Sequence, residues 1–583
     1  MNKFYTAERN VQIVLSLLKA HGIKRVVASP GATNVSVVAS MQHDPFFEIY
    51  SCVDERSAAY MACGIADQTS EPVVLSCTGA TSSRNYLPGL TEAYYRKLPI
   101  LALTSTMETC RVGHLYAQAT NRTQAPIDTV QESFLIQTVK DEEDAWDCNI
   151  KVNKAILLLK HRGGGPVHLN VTTQGNKDFS IKDLPRERLI ERFTSGEHLP
   201  VLPNGKIAIF IGSHKPITSV LERAIDLFCA KYNAVVYCDH TSNYYGKYKY
   251  LYALEAAQEV TKEWSEIDVL VHIGDVSGEY YTLAKLKPKE VWRLSEDGEI
   301  RDRFKTLRYV FEMDELCFFM HYAEGNFTKR NSNVNQCWDN YNTLLSKFPE
   351  LPFSNIWIAH ELSYRLPPQS HIYFGILNSL RSWNFFKLPK SVISNANVGG
   401  FGIDGMLSTL VGASLIKKDT LFLGVVGDLG FFYDINVLGN RHLSNNVRIL
   451  LINNGHGQEF RNYGHDANIF GEETDKYIAA AGHNGNKSQV LVRNIAINLG
   501  FEYLSAIDKV TFLQVCERFV SDDVSSKPII FEVFTNQEDE SDALRLTRNI
   551  EKNVLLSFKS NVKNIGKRLM GETTIDFLKK MKK

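Results

Sequence analysis

Val425-Val-Gly-Asp428-Leu-Gly430 is the stretch of this chain that decides its fold, and Ile449-Leu-Leu-Ile-Asn-Asn454 follows it after a helix-length gap. Each is an apolar strand that ends in a polar side chain, Asp428 in the first and Asn454 in the second. Parallel strands present their carboxyl ends at one edge of a sheet, where α/β proteins bind ligands, so we expect these side chains to lie together. Their oxygens suit Mg²⁺. A helix beginning at Leu429-Gly430 would offer free N–H groups to a phosphate.

A second series of strand ends lies near the N-terminus. Three apolar strands there run into the pairs Pro30-Gly31, Asp54-Glu55 and Thr78-Gly79. Small residues at helical spacing follow Glu55, which predicts a helix packed closely against a sheet. An acid at this position has a purely structural explanation, because it stabilises the start of a helix. The order of the surrounding strands and helices instead favours a functional role for Glu55.

Length and composition exclude several classes of protein. A chain of 583 residues is too long for one hydrophobic core, so roughly two to four domains are expected. A formal net charge of +0 gives no support for binding to nucleic acid or to a membrane surface. No apolar run approaches the ~18 residues that a membrane-spanning helix needs. The 10 cysteines are scattered without a Cys-x-x-Cys pair, which indicates reduced cysteines in a cytoplasmic protein.

The alternation of strands and helices predicts an α/β protein with three doubly wound parallel-sheet domains. The expected boundaries are 1–172 for the first domain, 205–322 for a central Rossmann-like domain and 353–545 for the third. Residues 546–583 are rich in lysine with spaced apolar residues, and we expect a helical tail there. The central domain has no Gly-x-Gly-x-x-Gly sequence, so a structural role is favoured over dinucleotide binding.

The strand-end residues of the first and third domains together resemble those of thiamine-diphosphate enzymes of the 2-oxo acid decarboxylase/acetolactate synthase type. Within that family the resemblance is to 2-succinyl-5-enolpyruvyl-6-hydroxy-3-cyclohexene-1-carboxylate (SEPHCHC) synthases, and it covers about residues 5 to 535. It is carried by Asp54-Glu55-Arg56, Asn378-Ser379-Leu380, Gly402-Ile-Asp-Gly-Met-Leu-Ser-Thr409, Gly427-Asp-Leu429 and Asn453-Asn-Gly-His-Gly-Gln458.

The resemblance implies thiamine diphosphate and Mg²⁺ as cofactors. The metal ligands would be Asp428, Asn454 and the backbone carbonyl of His456. The expected cofactor-binding residues are Pro30, Glu55, Thr78, Asn378, Ser379, Ile403, Gly427, Asp428, Leu429, Gly430 and Asn454. The expected catalytic residues are Glu55, Gln118 and His456. Glu55 and Asp428 fall on different domains, and in the family such residues meet across a subunit interface. A homodimer or homotetramer is therefore expected.

The chain departs from SEPHCHC synthases where that subgroup places substrate-binding arginines. The corresponding positions hold Thr33, Glu108, Trp383 and Val398. Those arginines bind the carboxylates of isochorismate and 2-oxoglutarate, and an uncharged side chain cannot replace a charge-assisted hydrogen bond. The sequence thus favours a carboligase that decarboxylates a 2-oxo acid donor and transfers the acyl unit to an unknown small-molecule acceptor. A simple 2-oxo acid decarboxylase and SEPHCHC synthase itself remain as alternatives.

Overall fold

The computed structural model describes residues 4–122, 124–258, 266–324, 333–483 and 488–552. Of the helical tail predicted for residues 546–583, the part from residue 553 onward lies outside the described residues. The chain divides into two compact units. The first comprises Met1–Leu199 with Asp297–Glu312, and the second comprises Pro200–Glu296 with Met313–Lys583.

The first unit is built on a six-stranded parallel sheet covered by helices. Its strands are β1 (Arg25–Ala28), β2 (Glu48–Ser51), β3 (Val73–Cys77), β4 (Ile100–Thr106), β5 (Ser133–Ile136) and β6 (Val167–Thr172). Its helices are α1 (Arg9–Ala20), α2 (Val35–Gln42), α3 (Glu55–Thr69), α4 (Thr81–Asn85), α5 (Leu87–Tyr95) and α6 (Glu142–Leu158). The strand order is β2-β1-β3-β4-β6-β5. Two further strands, β7 (Glu191–Thr194) and β13 (Leu307–Glu312), pair in parallel within this unit.

The second unit begins with the strands of the central sheet. These are β8 (Ile207–Ile211), β9 (Val235–Cys238), β10 (Lys249–Leu251), β11 (Glu266–Ile273) and β12 (Lys287–Ser295), which lie in the order β10-β9-β8-β11-β12. The accompanying helices are α7 (Ser219–Tyr232), α8 (Ala253–Ala256), α9 (Tyr280–Lys285), α10 (Glu315–Ala323) and α11 (Asn333–Ser346).

The second unit also contains another six-stranded parallel sheet. Its strands are β14 (His371–Phe374), β15 (Ile393–Ala396), β16 (Phe422–Gly427), β17 (Val447–Asn453), β18 (Glu502–Ala506) and β19 (Ile529–Phe534). Its helices are α12 (Asn355–Leu362), α13 (Asn378–Asn384), α14 (Met406–Ser414), α15 (Asp428–Tyr433), α16 (Thr474–Tyr477), α17 (Leu491–Asn498), α18 (Lys509–Phe519) and α19 (Gln537–Arg548). The strand order is β15-β14-β16-β17-β19-β18.

The two six-stranded sheets have the same topology. In each sheet, the strand that comes first in the chain lies between the strands that come second and third. The order of the strands therefore reverses direction at that first strand. A crevice forms at the carboxyl ends of the strands at such a switch point, and ligands of open α/β sheets bind there. The switch points are β1/β3 in the first unit and β14/β16 in the second.

The central strands of both sheets are buried along all or most of their length, which explains their continuous runs of apolar residues. All residues of β3, β4, β6 and β17 are buried. Parallel sheets covered by helices on both faces need this pattern rather than an alternation of polar and apolar residues. The predicted α/β class and its three parallel sheets are thereby confirmed, whereas the exact domain boundaries stay a prediction.

Helix α3 shows how the sequence positions a strand-end acid. Its buried face consists of small residues, chiefly alanines, so α5 approaches closely at Gly89. Asp54 caps the helix by accepting a hydrogen bond from the backbone N–H of Ser57 at 2.7 Å. These contacts fix the start of the helix, and Glu55 is its first residue. In the part of the chain that the structure describes, no helix is both long and apolar enough to span a membrane.

Candidate functional site

A cavity of about 190 Å³ lies at the β14/β16 switch point of the second unit. The loops that follow β14, β16 and β17 supply most of its lining. Every cofactor or metal residue predicted for this domain lines it: Asn378, Ser379, Ile403, Gly427, Asp428, Leu429, Gly430, Asn454 and His456. Predicted residues up to 78 positions apart in the sequence, Asn378 and His456, therefore line one cavity.

Asp428 is the first residue of α15 and is only 6% exposed. Burial raises the pKa of its carboxyl group to about 7, although hydrogen bonds from the backbone N–H groups of Leu429 and Gly455 act in the opposite direction. The contact with Gly455 joins the loop after β16 to the loop after β17. A bound dication would offset the cost of burying the ionised carboxylate.

Asn454 and His456 occupy the turn after β17. The side-chain oxygen of Asn454 accepts the backbone N–H of His456 at 3.4 Å, and Gly455 between them has a φ of 82°. The Nε2 atom of His456 lies 2.8 Å from Oε1 of Gln458 and donates to it. Burial lowers the pKa of His456, so its ring is neutral near pH 7. Because the ring is engaged with Gln458, its backbone carbonyl is the group of His456 better suited to a metal.

No cluster of three or more His, Cys, Asp or Glu side chains is placed to hold a metal ion among the described residues. A cation in this cavity would therefore be bound by one carboxylate together with amide and backbone oxygens. That set of hard oxygen donors suits Mg²⁺, which binds few protein carboxylates and shares its remaining positions with water and phosphate.

The loop after β14 holds a strained backbone that leads into α13. Leu377 has φ 63° and ψ −120°, a conformation that favours glycine, and it directly precedes Asn378 and Ser379. Leu377, Asn378 and Ser379 all line the cavity, and Ser379 is buried. Strained backbone is tolerated where the surrounding structure determines it, and such positions cluster at binding sites.

An ion pair that we did not predict supports Asn378. Arg381, one turn further along α13, makes two hydrogen bonds to the carboxylate of Glu459, at 2.8 and 2.9 Å. Arg381 and Asn462 both donate to the side-chain oxygen of Asn378 at 3.2 Å. The i, i+3 spacing of Asn378 and Arg381 was a signal that they share a helix face. The partner at position 459 could not be found in this way.

Gly430 allows α15 to lie against the backbone of the loop that holds Ile403. A Cβ atom at Gly430 would lie 2.9 Å from the carbonyl oxygen of Ile403, which is too close for any other residue without a backbone shift. The side chain of Ile403 lines the cavity and remains 36% exposed. An apolar surface is thus available to a ligand beside the polar residues.

In the first unit, Glu55 is half-buried at the carboxyl end of β2. Asn85, the last residue of α4, donates a hydrogen bond to its carboxylate at 3.3 Å. No local pattern in the sequence indicated a role for Asn85. Its contact orients the acid whose function the sequence predicted.

Pro30 and Thr78 flank the β1/β3 switch point of the same unit. A Cβ atom at Gly31 would lie 2.5 Å from Cβ of Thr78, so the Pro30-Gly31 turn packs directly on Thr78. The hydroxyl groups of Thr33 and Thr78 also share a hydrogen bond. Gln118 lies in an exposed loop with a φ of 66°. No described side-chain contact connects it to Glu55, and its catalytic role stays a prediction.

The positions that lack the arginines of SEPHCHC synthases are occupied by side chains with other partners. Trp383 is fully buried and packs on Phe374, with ring centroids 5.4 Å apart. Val398 is buried as well. The carboxylate of Glu108 accepts a hydrogen bond from Thr138 at 2.6 Å. Together with the Thr33 hydroxyl, these groups offer no positive charge to a substrate carboxylate.

Comparisons with known proteins agree with this geometry. Residues 9–131 match the family described as thiamine pyrophosphate enzyme, N-terminal TPP binding domain. In this segment the chain is similar to the thiamine-diphosphate-dependent enzymes, and the relatives below extend the similarity over nearly its whole length. It is 29% identical over 557 residues to the 2-succinyl-5-enolpyruvyl-6-hydroxy-3-cyclohexene-1-carboxylate synthase of Bacteroides fragilis, covering 93% of this chain and 98% of the relative. The synthase of the same name from Porphyromonas gingivalis is 24% identical, covering 94% of this chain and 97% of the relative.

Proposed function

We propose that this enzyme is a Mg²⁺-dependent carboligase that decarboxylates a 2-oxo acid and transfers the acyl unit to an acceptor. The observation that carries the proposal is the cavity at the β14/β16 switch point, where Asp428, Asn454 and Ser379 converge. The buried carboxylate, the amide oxygen and the hydroxyl group match what a magnesium diphosphate requires. We infer further that the protein works in the cytoplasm on small molecules, with no nucleic acid or membrane as its partner.

The residues present fit thiamine diphosphate and Mg²⁺. In the proposed arrangement, Asp428, Asn454 and the carbonyl of His456 bind the cation. Ser379, Leu429 and Gly430 would contact phosphate oxygens. Ile403 provides the apolar surface for the ring system of the cofactor.

When bound, thiamine diphosphate supplies the electron sink for decarboxylation, and the protein supplies position and electrostatics. Glu55, oriented by Asn85 at 3.3 Å, would hold the aminopyrimidine ring by a hydrogen bond to its ring nitrogen. Pro30 and Thr78, at the neighbouring switch point, would hold the same ring. Gln118 is placed on the acceptor side in this proposal.

The proposed catalytic unit is a homodimer, or a homotetramer built from two such dimers. Glu55 lies in the first compact unit and Asp428 in the second. In the family that the chain resembles, these two residues belong to different subunits at one active site. Sedimentation or light scattering of the purified protein tests the proposal, and a monomer with full activity would contradict it.

SEPHCHC synthase is the second candidate, because the relatives described above carry that name and match over nearly their whole length. Against it stand Thr33, Glu108, Trp383 and Val398 at the positions of the substrate arginines. Each charge-assisted hydrogen bond that is lost weakens substrate binding by a free energy on the order of 1.5–3 kcal/mol. We therefore favour a different pair of substrates.

A substrate scan separates the candidates. Carbon dioxide release is measured from pyruvate, 2-oxoglutarate and longer 2-oxo acids, first alone and then with aldehyde or ketone acceptors. Release that needs an acceptor, together with a carbon–carbon-bonded product, supports the carboligase. Release without an acceptor and with an aldehyde product indicates a simple decarboxylase. Rapid turnover of isochorismate with 2-oxoglutarate would overturn our interpretation of the missing arginines in favour of SEPHCHC synthase.

A further inference from the structure

A second cavity, of about 200 Å³, lies inside the first compact unit. It is bounded by β4, by α4 and α5, and by residues 121, 122, 124–126 and 130. Leu87, Leu90 and Val130 form an apolar part of its wall, and two arginines, Arg84 and Arg122, also line it. The site residues predicted from the sequence are not among those that line it.

Arg122 is a buried cation with no acidic partner among the residues that the structure describes. It is only 7% exposed. Its guanidinium group donates to three neutral oxygens: Oγ1 of Thr104 at 3.3 Å, the carbonyl of Ser105 at 3.2 Å and Oδ1 of Asn170 at 3.0 Å. Its Nε–H is buried and has no acceptor. A buried charge is normally paired, because removing it from water is costly.

The surroundings add positive charge instead of compensating for it. Burial lowers the pKa of Arg122, and the charge of Arg84 lowers it further. Arg84 is exposed beside the cavity, and within the described part of the chain neither arginine forms a salt bridge. His168, also in the wall, is neutral, because complete burial lowers its pKa to about 3. Its two ring nitrogens bond to the hydroxyl groups of Thr104 and Ser133.

Two arginines that repel each other in the lining of a partly apolar cavity are suited to an anion with an apolar body. We infer that Arg84 and Arg122 bind the carboxylate of an organic acid substrate, whose hydrocarbon part lies against Leu87, Leu90 and Val130. This assignment rests on the proposed function. An arginine fork is the natural partner of a carboxylate, and the apolar wall favours an organic acid over inorganic phosphate.

The position of α4 connects this cavity to the catalytic acid. Arg84 and Asn85 are consecutive residues of α4, and Asn85 is the residue that hydrogen-bonds Glu55. A carboxylate held by Arg84 is thus bound beside the element that orients Glu55. The two arginines would also replace, from another part of the domain, the charge that is missing at Thr33 and Glu108.

The test uses the full-length holoenzyme and the 2-oxo acid that it turns over fastest. Arg84→Met removes the exposed guanidinium, and Arg122→Lys keeps the charge but removes the fork. Arg96→Met is the matched control, because Arg96 lies in the same unit and already pairs with Asp67 at 2.6 Å. We expect Arg84→Met and Arg122→Lys each to raise KM at least tenfold, with Mg²⁺-dependent cofactor affinity unchanged. Arg96→Met should leave both values as in the wild type.

Equal KM values in all three variants and the wild type would overturn the assignment. Direct calorimetry distinguishes it from the proposed function. Pyruvate, 2-oxoglutarate and inorganic phosphate are titrated separately into wild-type protein and into Arg84→Met. Binding of the organic acids that is lost in Arg84→Met supports the carboxylate site even if no 2-oxo acid is decarboxylated. Phosphate binding alone, or acid binding that Arg84→Met retains, refutes it.

Discussion

Replacing Asp428 with asparagine should stabilise the cofactor-free protein at neutral pH while abolishing Mg²⁺-dependent cofactor binding. The carboxyl pKa is raised by burial from 3.8 to about 7 in the folded protein. The folded state therefore holds a proton that the unfolded state releases between pH 4 and 7. The contribution of Asp428 to stability is fully present below pH 4 and is lost as pH rises through 7.

The size of this effect follows from the two pKa values. They differ by about 3, and each pKa unit corresponds to about 1.36 kcal/mol. The free energy of unfolding of the wild type therefore falls by at most roughly 4 kcal/mol as the pH rises. Asparagine cannot ionise and avoids this loss. The stability of Asp428→Asn relative to the wild type should therefore increase from pH 4 to 7 and level off above it.

Urea denaturation of cofactor-free protein at several pH values between 4.5 and 8 measures this difference, and calorimetry measures cofactor binding. Glu540→Gln is the matched control. Burial also raises the pKa of Glu540 to about 7, and its carboxylate accepts hydrogen bonds from Thr535 and the backbone of Asn355. The stability of Glu540→Gln relative to the wild type should rise with pH to a similar extent as that of Asp428→Asn. Glu540→Gln should nevertheless retain Mg²⁺-dependent binding of thiamine diphosphate.

Two results would refute the reasoning on Asp428. Parallel stability curves for the wild type and Asp428→Asn across the pH range would show that burial does not perturb this carboxyl group. Undiminished Mg²⁺-dependent cofactor binding by Asp428→Asn would show that the carboxylate is not a metal ligand.

Three further predictions concern the packing and chemistry of the site. Gly430→Ala should cost ~1–3 kcal/mol of stability, because its Cβ would lie 2.9 Å from a backbone oxygen. The control Gly412→Ala, in open space on α14, should stabilise the protein by up to ~1 kcal/mol. Equal effects of the two variants in urea denaturation would contradict this prediction. Glu55→Gln should slow carbon dioxide release about 10²–10⁴-fold with cofactor still bound, and a wild-type rate would exclude the proposed proton transfer. Arg381→Met should destabilise the folded protein by ~3–5 kcal/mol, because the substitution leaves Glu459 partly buried and without its cation. Adding Glu459→Gln to this variant should restore part of the lost stability, as measured by thermal melts.

Local patterns were sufficient to predict the main features of the third sheet. The apolar runs that become β16 and β17 are buried along nearly their whole length, and each ends at a polar residue. Strand period, strand length and the identity of the next residue are all local properties, so the sequence could indicate where Asp428 and Asn454 would lie. The small residues after Glu55 predicted close helix packing for the same reason.

The supporting contacts of the sites could not be predicted in this way. The partner of Arg381 lies 78 positions away, at Glu459, and the partner of Glu55 lies 30 positions away, at Asn85. Leu377 adopts a left-handed conformation that its side chain does not favour, so no local rule indicates it. The burial of Arg122 is equally invisible in the sequence, where a lone arginine in a polar loop suggests an exposed residue.

The sequence by itself determined the α/β class, the strand ends and the residue types that we propose for a magnesium diphosphate, because hydrophobic periodicity and turn chemistry act over a few residues. The tertiary structure alone decided which strand ends share a switch point, which charges are paired and which are left buried without a partner. Those properties depend on the order of strands in a sheet and on the removal of water between distant segments. Neither is encoded in any single stretch of the chain.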